Sequence, residues 1–201
     1  ASKAFDYYYG EFEKLGYTTA GALDTWCIDK ESSMPLLRSA LVLFDTTQEQ
    51  AYIEKAEKIS YYLSTWLWHY KASYDADEDA TRYDYNTFGA TSVSTQHHHL
   101  DVYALMWVSE WLRLAELSGN DVWREKAKAI WTNGCQILSD GTLEINGLIR
   151  PVGSQNEAFF ECAWGGYPEK KRINDWLVAW PGAFRLETMR NISDWGALDN
   201  E

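Results

Sequence analysis

Seven carboxylates lie in or beside segments whose composition predicts loops, and carboxylates are the groups that glycoside chemistry requires. Glycoside hydrolysis uses a protonated carboxylic acid on the leaving oxygen and a second carboxylate that acts as base or nucleophile. The seven candidates are Asp24, Asp29, Glu31, Asp84, Asp101, Glu157 and Glu161. From these the predicted catalytic set is Glu157, Asp29 and Asp101.

Glu157 is the first choice among the carboxylates because of its neighbours in sequence. Phe159 and Phe160 follow it closely, and Gln155 and Asn156 precede it. Apolar surroundings disfavour the charged form of a carboxyl group and raise its pKa toward the range of a general acid. We therefore expect Glu157 to donate a proton.

Asp29 and Asp101 each have a second interpretation that needs no chemistry. Asp29 precedes a helical pattern, where an aspartate is a favourable N-cap. Glu31, in the expected first turn of that helix, is equally explained by the helix dipole. Asp101 is expected one turn into a later helix, facing the interior or the mouth of a helical ring.

The predicted substrate-binding residues are aromatic, amide, imidazole and guanidinium side chains from the same loops. Tryptophan presents a flat apolar face on which a sugar ring can stack. An arginine can bind a uronic acid carboxylate through two hydrogen bonds, although a salt bridge to a nearby acid explains it as well. These residues are Trp26, Gln96, His98, Arg82, Arg150 and Trp164.

Three consecutive histidines, His97 to His99, do not predict a metal site. Neighbouring residues on a helix point about 100° apart, so three such imidazoles cannot all bind one ion. We expect one of them to bond a substrate hydroxyl or a buried carbonyl, and we expect His69 to pack among its aromatic neighbours. The chain has no GxxxxGKS/T, GxGxxG or GxSxG motif, so no cofactor is predicted.

Composition indicates one globular domain spanning 1–201 and excludes some partners. Of 201 residues, 46% are hydrophobic, and the net charge is −12. An acidic chain is a poor ligand for nucleic acid or an anionic membrane, both of which reward clustered Lys and Arg. Cys27, Cys135 and Cys162 show neither metal-ligand spacing nor an even count for a disulfide framework. The compartment stays open between cytoplasmic and secreted or periplasmic.

Helical periodicity predicts most of the secondary structure. Helices are expected over 2–15, 29–44, 50–71, 98–118 and 121–139, with a last helical segment starting near 174. The stretch 142–152 is strand-like, and its Asn146 and Gly147 pair is a strong signal for a β-hairpin turn.

An internal repeat sets the expected architecture. The pattern over 41–59 recurs over 112–130, offset by 71 residues without a gap. Each copy is a helix, a short turn and a second helix, and such hairpins need neighbours to bury both helices. The sequence therefore predicts an all-α, α/α-toroid architecture as a partial ring, and we expect a fragment of a longer chain or self-association to complete it.

The lengths of the connections predict where a site would lie. The turns within hairpins, near 45–49 and 117–121, are short. The connections between hairpins, 16–29, 72–97 and 139–174, are long and rich in aromatic and polar residues. All long connections should emerge at one end of the array, and long loops on a rigid scaffold commonly carry function.

Several segments resemble the six-hairpin glycosidases, the superfamily of (α/α)6-barrel carbohydrate-active enzymes. They are DTWCIDKES at 24–32, LLRSALVLFDTT at 36–47, AYIEKAEKISYYL at 51–63, QHHHLD at 96–101 and QNE at 155–157. The resemblance covers roughly 20–190 and implies a ring of six hairpins acting on carbohydrate. It carries no catalytic signature of a particular family, so no residue role is transferred.

Function from sequence thus remains a choice among related hypotheses. The first is a glycoside hydrolase using Asp/Glu acid–base chemistry on an oligo- or polysaccharide. The second is a non-catalytic carbohydrate-binding or scaffold module that keeps the aromatic platforms. The third is a toroid sugar epimerase with a pair of histidines, or a polysaccharide lyase with Tyr or His as base and Arg or Asn on the uronate.

Overall fold

Helices make up most of the regular structure in the computed structural model, which describes residues 1–20, 27–95, 99–160, 172–174 and 177–198. None of the helices described there has the length and apolar character needed to cross a membrane. Two 3₁₀ helices, Tyr103–Trp107 and Trp195–Leu198, accompany the α-helices. The α-helices are α1 Ser2–Leu15, α2 Ser33–Thr47, α3 Ala51–Ser64, α4 Asp79–Arg82, α5 Val108–Ser118, α6 Val122–Gly134 and α7 Trp180–Asn191.

The predicted repeat is present as two helical hairpins, α2–α3 and α5–α6, which lie side by side through α3 and α5. Their shared core holds Leu37, Ile53, Trp111 and Trp123. The indole of Trp111 donates to the Ser60 hydroxyl at 3.0 Å, so its polar edge is satisfied inside the core. The structure therefore shows two adjacent helical hairpins in a mostly helical fold.

Short antiparallel strands occupy the connections. They are β1 Thr18–Ala20, β2 Cys27–Asp29, β3 Thr91–Ser92, β4 His99–Asp101, β5 Glu144–Ile145, β6 Leu148–Ile149 and β7 Ala158–Phe160. β1 pairs with β2, β5 with β6, and the third sheet has the order β3-β4-β7. Asn146 and Gly147 turn between β5 and β6 with φ of 52° and 77°, so the predicted β-hairpin is confirmed.

The helix predicted over 98–118 is wrong in its first half. His99–Asp101 form β4, a 3₁₀ helix follows, and α5 begins only at Val108. Strands on both sides of β4 satisfy its backbone, with Leu100 opposite both Ser92 and Phe159. Non-local pairing therefore overrides the local helical pattern.

Other predicted helix boundaries also differ from the structure, among them the end of the helix expected over 121–139, which lies at Gly134. The helix expected over 50–71 ends at Ser64, because 66–68 is extended and bonds to the backbone around β3. The helix expected from 29 begins at Ser33, so Asp29 lies in β2 and is not its N-cap. The last helix begins at Trp180, with Pro181 in its first turn, where the missing N–H costs nothing.

The short turn of the first hairpin and the strands lie at opposite ends of the helices. Asp45, at the C-terminal end of α2, accepts from Arg113 of α5 at 3.1 Å. β2 and β4 instead precede the N-terminal ends of α2 and α5. The long connections that are described therefore emerge at the end away from the 45–49 turn.

Apolar side chains are exposed on the outer side of α1 and α2. Tyr7, Tyr8, Leu15 and Val42 are each about half exposed or more. They line an open groove of about 990 Å³ between the two helices. An open array of hairpins has such a flank because its terminal helices lack a neighbour.

A close approach between Gly89 and α6 gives the first test of the fold. Gly89 has a φ of 87°, and a Cβ built there would lie 2.2 Å from the Ala129 carbonyl oxygen. The left-handed conformation and the overlap together predict that Gly89→Ala lowers the free energy of unfolding by about 2–5 kcal/mol. Urea denaturation followed by circular dichroism measures it.

Gly119→Ala is the matched control for this change. Gly119 has a φ of 70°, but no atom lies within 4 Å of the added Cβ. Its expected cost is only that of the left-handed conformation, about 1–2 kcal/mol. Equal losses in both variants would show that Gly89 does not pack closely on α6.

Candidate active site

Tyr103 stands at the centre of a group of carboxylates at the strand end of the hairpins. Its side chain is half-buried, and burial raises its pKa far above the ordinary value. Glu31, Asp101, Glu157 and Asp29 raise that pKa further through their negative charges. We refer to Tyr103 and these four residues as the Tyr103 cluster.

The short strands explain why residues so distant in sequence meet here. Asp101 ends β4, two positions before Tyr103 starts the 3₁₀ helix. Asp101 pairs with Ala158 of β7, which places Glu157 beside the same end of the sheet. Asp29 ends β2 and forms an isolated bridge with Ser94 just after β3. Three connections therefore deliver their carboxylates to one place.

One member of the cluster, Asp101, forms a buried ion pair with Lys30. The Lys30 ammonium is 2.8 Å from Asp101 Oδ2, and both side chains have 0% exposure. Lys30 also donates to the Ser92 carbonyl at 2.6 Å, and Asp101 accepts from the Thr91 hydroxyl and from the Tyr103 N–H. A carboxylate with no exposed surface cannot contact a ligand, so Asp101 supports the site.

Asp29 and Glu31 differ in how far they reach toward solvent. Asp29 is buried, and its carboxylate accepts from the Glu31 backbone N–H. Its carbonyl accepts from the Thr18 and Tyr62 hydroxyls, which holds β2 against α3. Glu31 is only half-buried. Burial raises the pKa of both groups, and for Glu31 the neighbouring Asp29 charge adds to the rise.

Glu157 is also half-buried, and its charge acts on Tyr103. Burial is the largest cause that raises its pKa, and the Asp101 charge adds to it. A hydrogen bond from the Trp180 side chain acts in the opposite direction. The ring of Trp180, in the first turn of α7, also stacks on Tyr103 at 4.2 Å between centroids and 28°. Helix α7 therefore supplies an aromatic wall to the site.

This arrangement can perform acid–base chemistry. Three carboxyl groups, Asp29, Glu31 and Glu157, have raised pKa values and lie around one aromatic pair. Burial raises the pKa of Glu31 and of Glu157, and the charge of Asp29 adds to the first rise and that of Asp101 to the second, so each glutamate keeps its proton to a higher pH than an exposed one would. A site that holds both a proton donor and a carboxylate meets the requirement of glycosyl chemistry.

The structure brings the three predicted catalytic residues into one cluster and leaves both arginines elsewhere. Arg82 of α4 pairs with Asp79 at 3.3 Å. Arg150 is 6% exposed and donates to the Ile145 carbonyl at 3.4 Å. Neither is in the Tyr103 cluster. Several predicted residues lie outside the described part of the chain: Asp24, Trp26, Gln96, His97, His98, Glu161 and Trp164.

Sequence reasoning missed Lys30, Tyr103 and Trp180, and treated Glu31 as a helix-dipole residue. No local period marks Tyr103, which starts a 3₁₀ helix two residues after Asp101 ends β4. Nothing in the sequence distinguishes Lys30 from a surface lysine. Within the described ranges, no group of three His, Cys, Asp or Glu side chains is arranged to hold a metal ion.

The ion pair yields a prediction about stability. Asp101→Asn keeps the side-chain shape but leaves the Lys30 ammonium buried without a counter-charge. Breaking a buried pair in this way is expected to lower the free energy of unfolding by about 3–5 kcal/mol, measured by urea denaturation.

The control is Asp45→Asn, which breaks the exposed pair with Arg113 in the same protein. Exposed pairs contribute at most about 1 kcal/mol, so this variant should unfold almost as the parent does. A loss for Asp101→Asn as small as that of the control would contradict the buried pair.

Raised carboxyl pKa values also predict how stability depends on pH. A carboxyl whose pKa is raised in the folded protein contributes stability below its unfolded pKa and loses that contribution as pH rises through the folded pKa. The Glu157→Gln variant has no ionisable group at this position, so it does not lose stability in this way as the pH rises. The difference in melting temperature, variant minus parent, should therefore grow from pH 4 to pH 8.

Glu144→Gln is the control because Glu144 is exposed on β5. Its melting temperature should differ from that of the parent by nearly the same amount at every pH. A pH-independent difference for Glu157→Gln would show that burial does not disfavour the charged form of Glu157.

Comparisons with known proteins returned no relatives for this chain. No protein-family model matches it, no curated protein matches it, and no solved structure matches it. The resemblance to six-hairpin glycosidases therefore remains an expectation from the sequence. Function has to be argued from the chemistry of the Tyr103 cluster, because fold alone does not determine it.

Proposed function

We propose that this protein is a glycoside hydrolase-like enzyme of the six-hairpin, α/α-toroid type that binds its sugar substrate at the Tyr103 cluster. The observation that carries the proposal is the set of carboxyl groups with raised pKa values beside the Tyr103–Trp180 pair. The 71-residue repeat, folded as two adjacent helical hairpins, supports the toroid.

Glu157 is the proton donor in this mechanism. Burial raises its pKa, so a larger fraction of the enzyme carries the proton near neutral pH than an exposed glutamate would. The hydrogen bond from Trp180 orients the carboxyl group. Glu157 protonates the glycosidic oxygen as the bond to the sugar breaks, and the leaving group departs as an alcohol.

Glu31 is the second carboxylate and acts as the base or nucleophile. It is more exposed than Asp29 and Asp101, the other two aspartate or glutamate residues that act on Tyr103 besides Glu157. Asp29 holds the turn by accepting the Glu31 N–H. In this proposal Asp29 and Asp101 are positioning residues, and the half-buried pair Glu31 and Glu157 contacts the substrate.

The other candidate functions receive less support from the described residues. A lyase needs a tyrosine or histidine that loses its proton easily, whereas burial and four carboxylates raise the pKa of Tyr103. A lyase of the kind considered also needs an Arg or Asn for the uronate, and the two candidate arginines, Arg82 and Arg150, lie outside the Tyr103 cluster. His99, the described member of the histidine run, is 3% exposed in β4, which suits packing better than epimerase chemistry.

Turnover of Glu157→Gln tests the mechanism. Release of sugar from a panel of nitrophenyl glycosides and soluble oligosaccharides identifies the substrate for the parent protein. The variant removes only the ionisable proton, and loss of a general acid is expected to lower kcat about 10²–10⁴-fold. Binding of the same sugar, measured by calorimetry, should change little.

The control is again Glu144→Gln, which should retain the parent kcat. An unchanged kcat for Glu157→Gln on a substrate that the parent cleaves would remove Glu157 from the mechanism. Sugar binding without any turnover in the parent protein would favour the non-catalytic binding module.

A further inference from the structure

An extended segment beside β3 presents two tryptophans on one face. The backbone of 66–68 pairs with that of β3 and its flank, with Ser92 N–H donating to Trp66 O at 3.2 Å and Leu67 opposite Thr91. Successive side chains of an extended segment point to opposite faces. Leu67 and Thr91 are buried on one face, so Trp66 and Trp68 share the other.

That face forms a pocket of about 350 Å³. This volume falls within the range of small-ligand sites, roughly 300–1,000 Å³. The aromatic and hydroxyl residues in its lining include Trp66, Trp68, His69, Tyr70, Ser92, Ser94 and Thr95. The indole of Trp68 donates to the Ser92 hydroxyl at 3.1 Å, which fixes the ring against the wall of the pocket.

The chemistry of the lining selects a neutral, hydroxyl-rich ligand. The described residues that line the pocket include no Asp, Glu, Lys or Arg. Such a wall offers no carboxylate, ammonium or guanidinium to a charged ligand, and its one histidine, His69, bonds through Nε2 to the Ser64 carbonyl at 3.0 Å. Indole and phenol faces stack on the apolar face of a pyranose, and serine and threonine hydroxyls can exchange hydrogen bonds with its hydroxyl groups.

The pocket is adjacent to the Tyr103 cluster through the backbone. Ser94 forms a bridge with Asp29, and Thr95 N–H donates to Ile28 O at 3.1 Å. The Lys30 ammonium donates to Ser92 O at 2.6 Å. The strand that carries the hydroxyls is thus bonded directly to the segment that carries Asp29 and Glu31.

We propose that this pocket is a sugar-binding subsite, which would make the substrate a glycan chain of neutral sugars that extends beyond the bond being cleaved. The proposal rests on the proposed function for its connection to catalysis, but binding in the pocket can be measured without turnover. A chain with one sugar at the Tyr103 cluster reaches the pocket with a later unit. Short substrates occupy the cluster alone.

The experiment compares binding of short and long sugars in a Glu157→Gln background. Probes are the disaccharides and hexasaccharides of the cello, xylo, manno and malto series, measured by isothermal titration calorimetry. Tyr70→Ala removes an exposed ring from the pocket, and Thr95→Ala removes an exposed hydroxyl. We expect Tyr70→Ala to weaken hexasaccharide binding about 3–10-fold, as lost aromatic stacking does, with no effect on the disaccharide.

Tyr8→Ala is the matched control because Tyr8 is 62% exposed, Tyr70 is 61% exposed, and Tyr8 lies on α1 away from the pocket. Its hexasaccharide affinity should equal that of the parent. Equal affinity in Tyr70→Ala and Tyr8→Ala, or no preference of the parent for any hexasaccharide, would overturn the subsite. Failure of the proposed function would instead appear as unchanged turnover in the Glu157→Gln variant.

Discussion

A single buried ammonium group connects the elements on which the candidate site is built. Lys30 follows β2, its proton donors reach the Ser92 carbonyl of β3, and its charge meets Asp101 of β4. Removing an ammonium from water costs several kcal/mol, and only a complete set of partners offsets that cost. Strands of two or three residues are marginal on their own. The ion pair therefore ties together strands that backbone pairing alone would hold weakly.

The charges of Lys30 and Asp101 also affect the pKa values of the other acids in the Tyr103 cluster. Lys30 lowers the pKa of Asp29 and Glu31, but burial outweighs it and both values are raised. The pKa of Glu157 has no contribution from Lys30: burial and the Asp101 charge raise it, and the hydrogen bond from Trp180 lowers it. The acidity of the site thus follows mainly from burial, and the Lys30 charge opposes it only at Asp29 and Glu31.

Periodicity predicted most of the helices, connection lengths predicted where the candidate site would lie, and both failed where non-local pairing decides the structure. The 71-residue repeat predicted both hairpins, and the Asn146-Gly147 turn predicted the β-hairpin. Segments 66–68 and 99–101 carry no period long enough to identify as strands, since their partners lie far away in sequence. Connection lengths correctly brought Asp29, Asp101 and Glu157 together. Asp29 and Asp101 are buried whereas Glu157 is half-buried. This difference depends on tertiary packing, which no local sequence pattern encodes.

The Lys30–Asp101 pair has a consequence for how this chain can change over generations. An uncharged residue at either position alone leaves the other charge buried without its partner, so that intermediate is less stable by about 3–5 kcal/mol. Two well-packed apolar residues at these positions could be as stable as the ion pair, yet no sequence of single changes reaches them without that intermediate. Replacement of the ion pair by an apolar pair is therefore expected to be rare. Sequence changes at this end of the fold are then expected mainly in the loops that Lys30 and Asp101 hold in place.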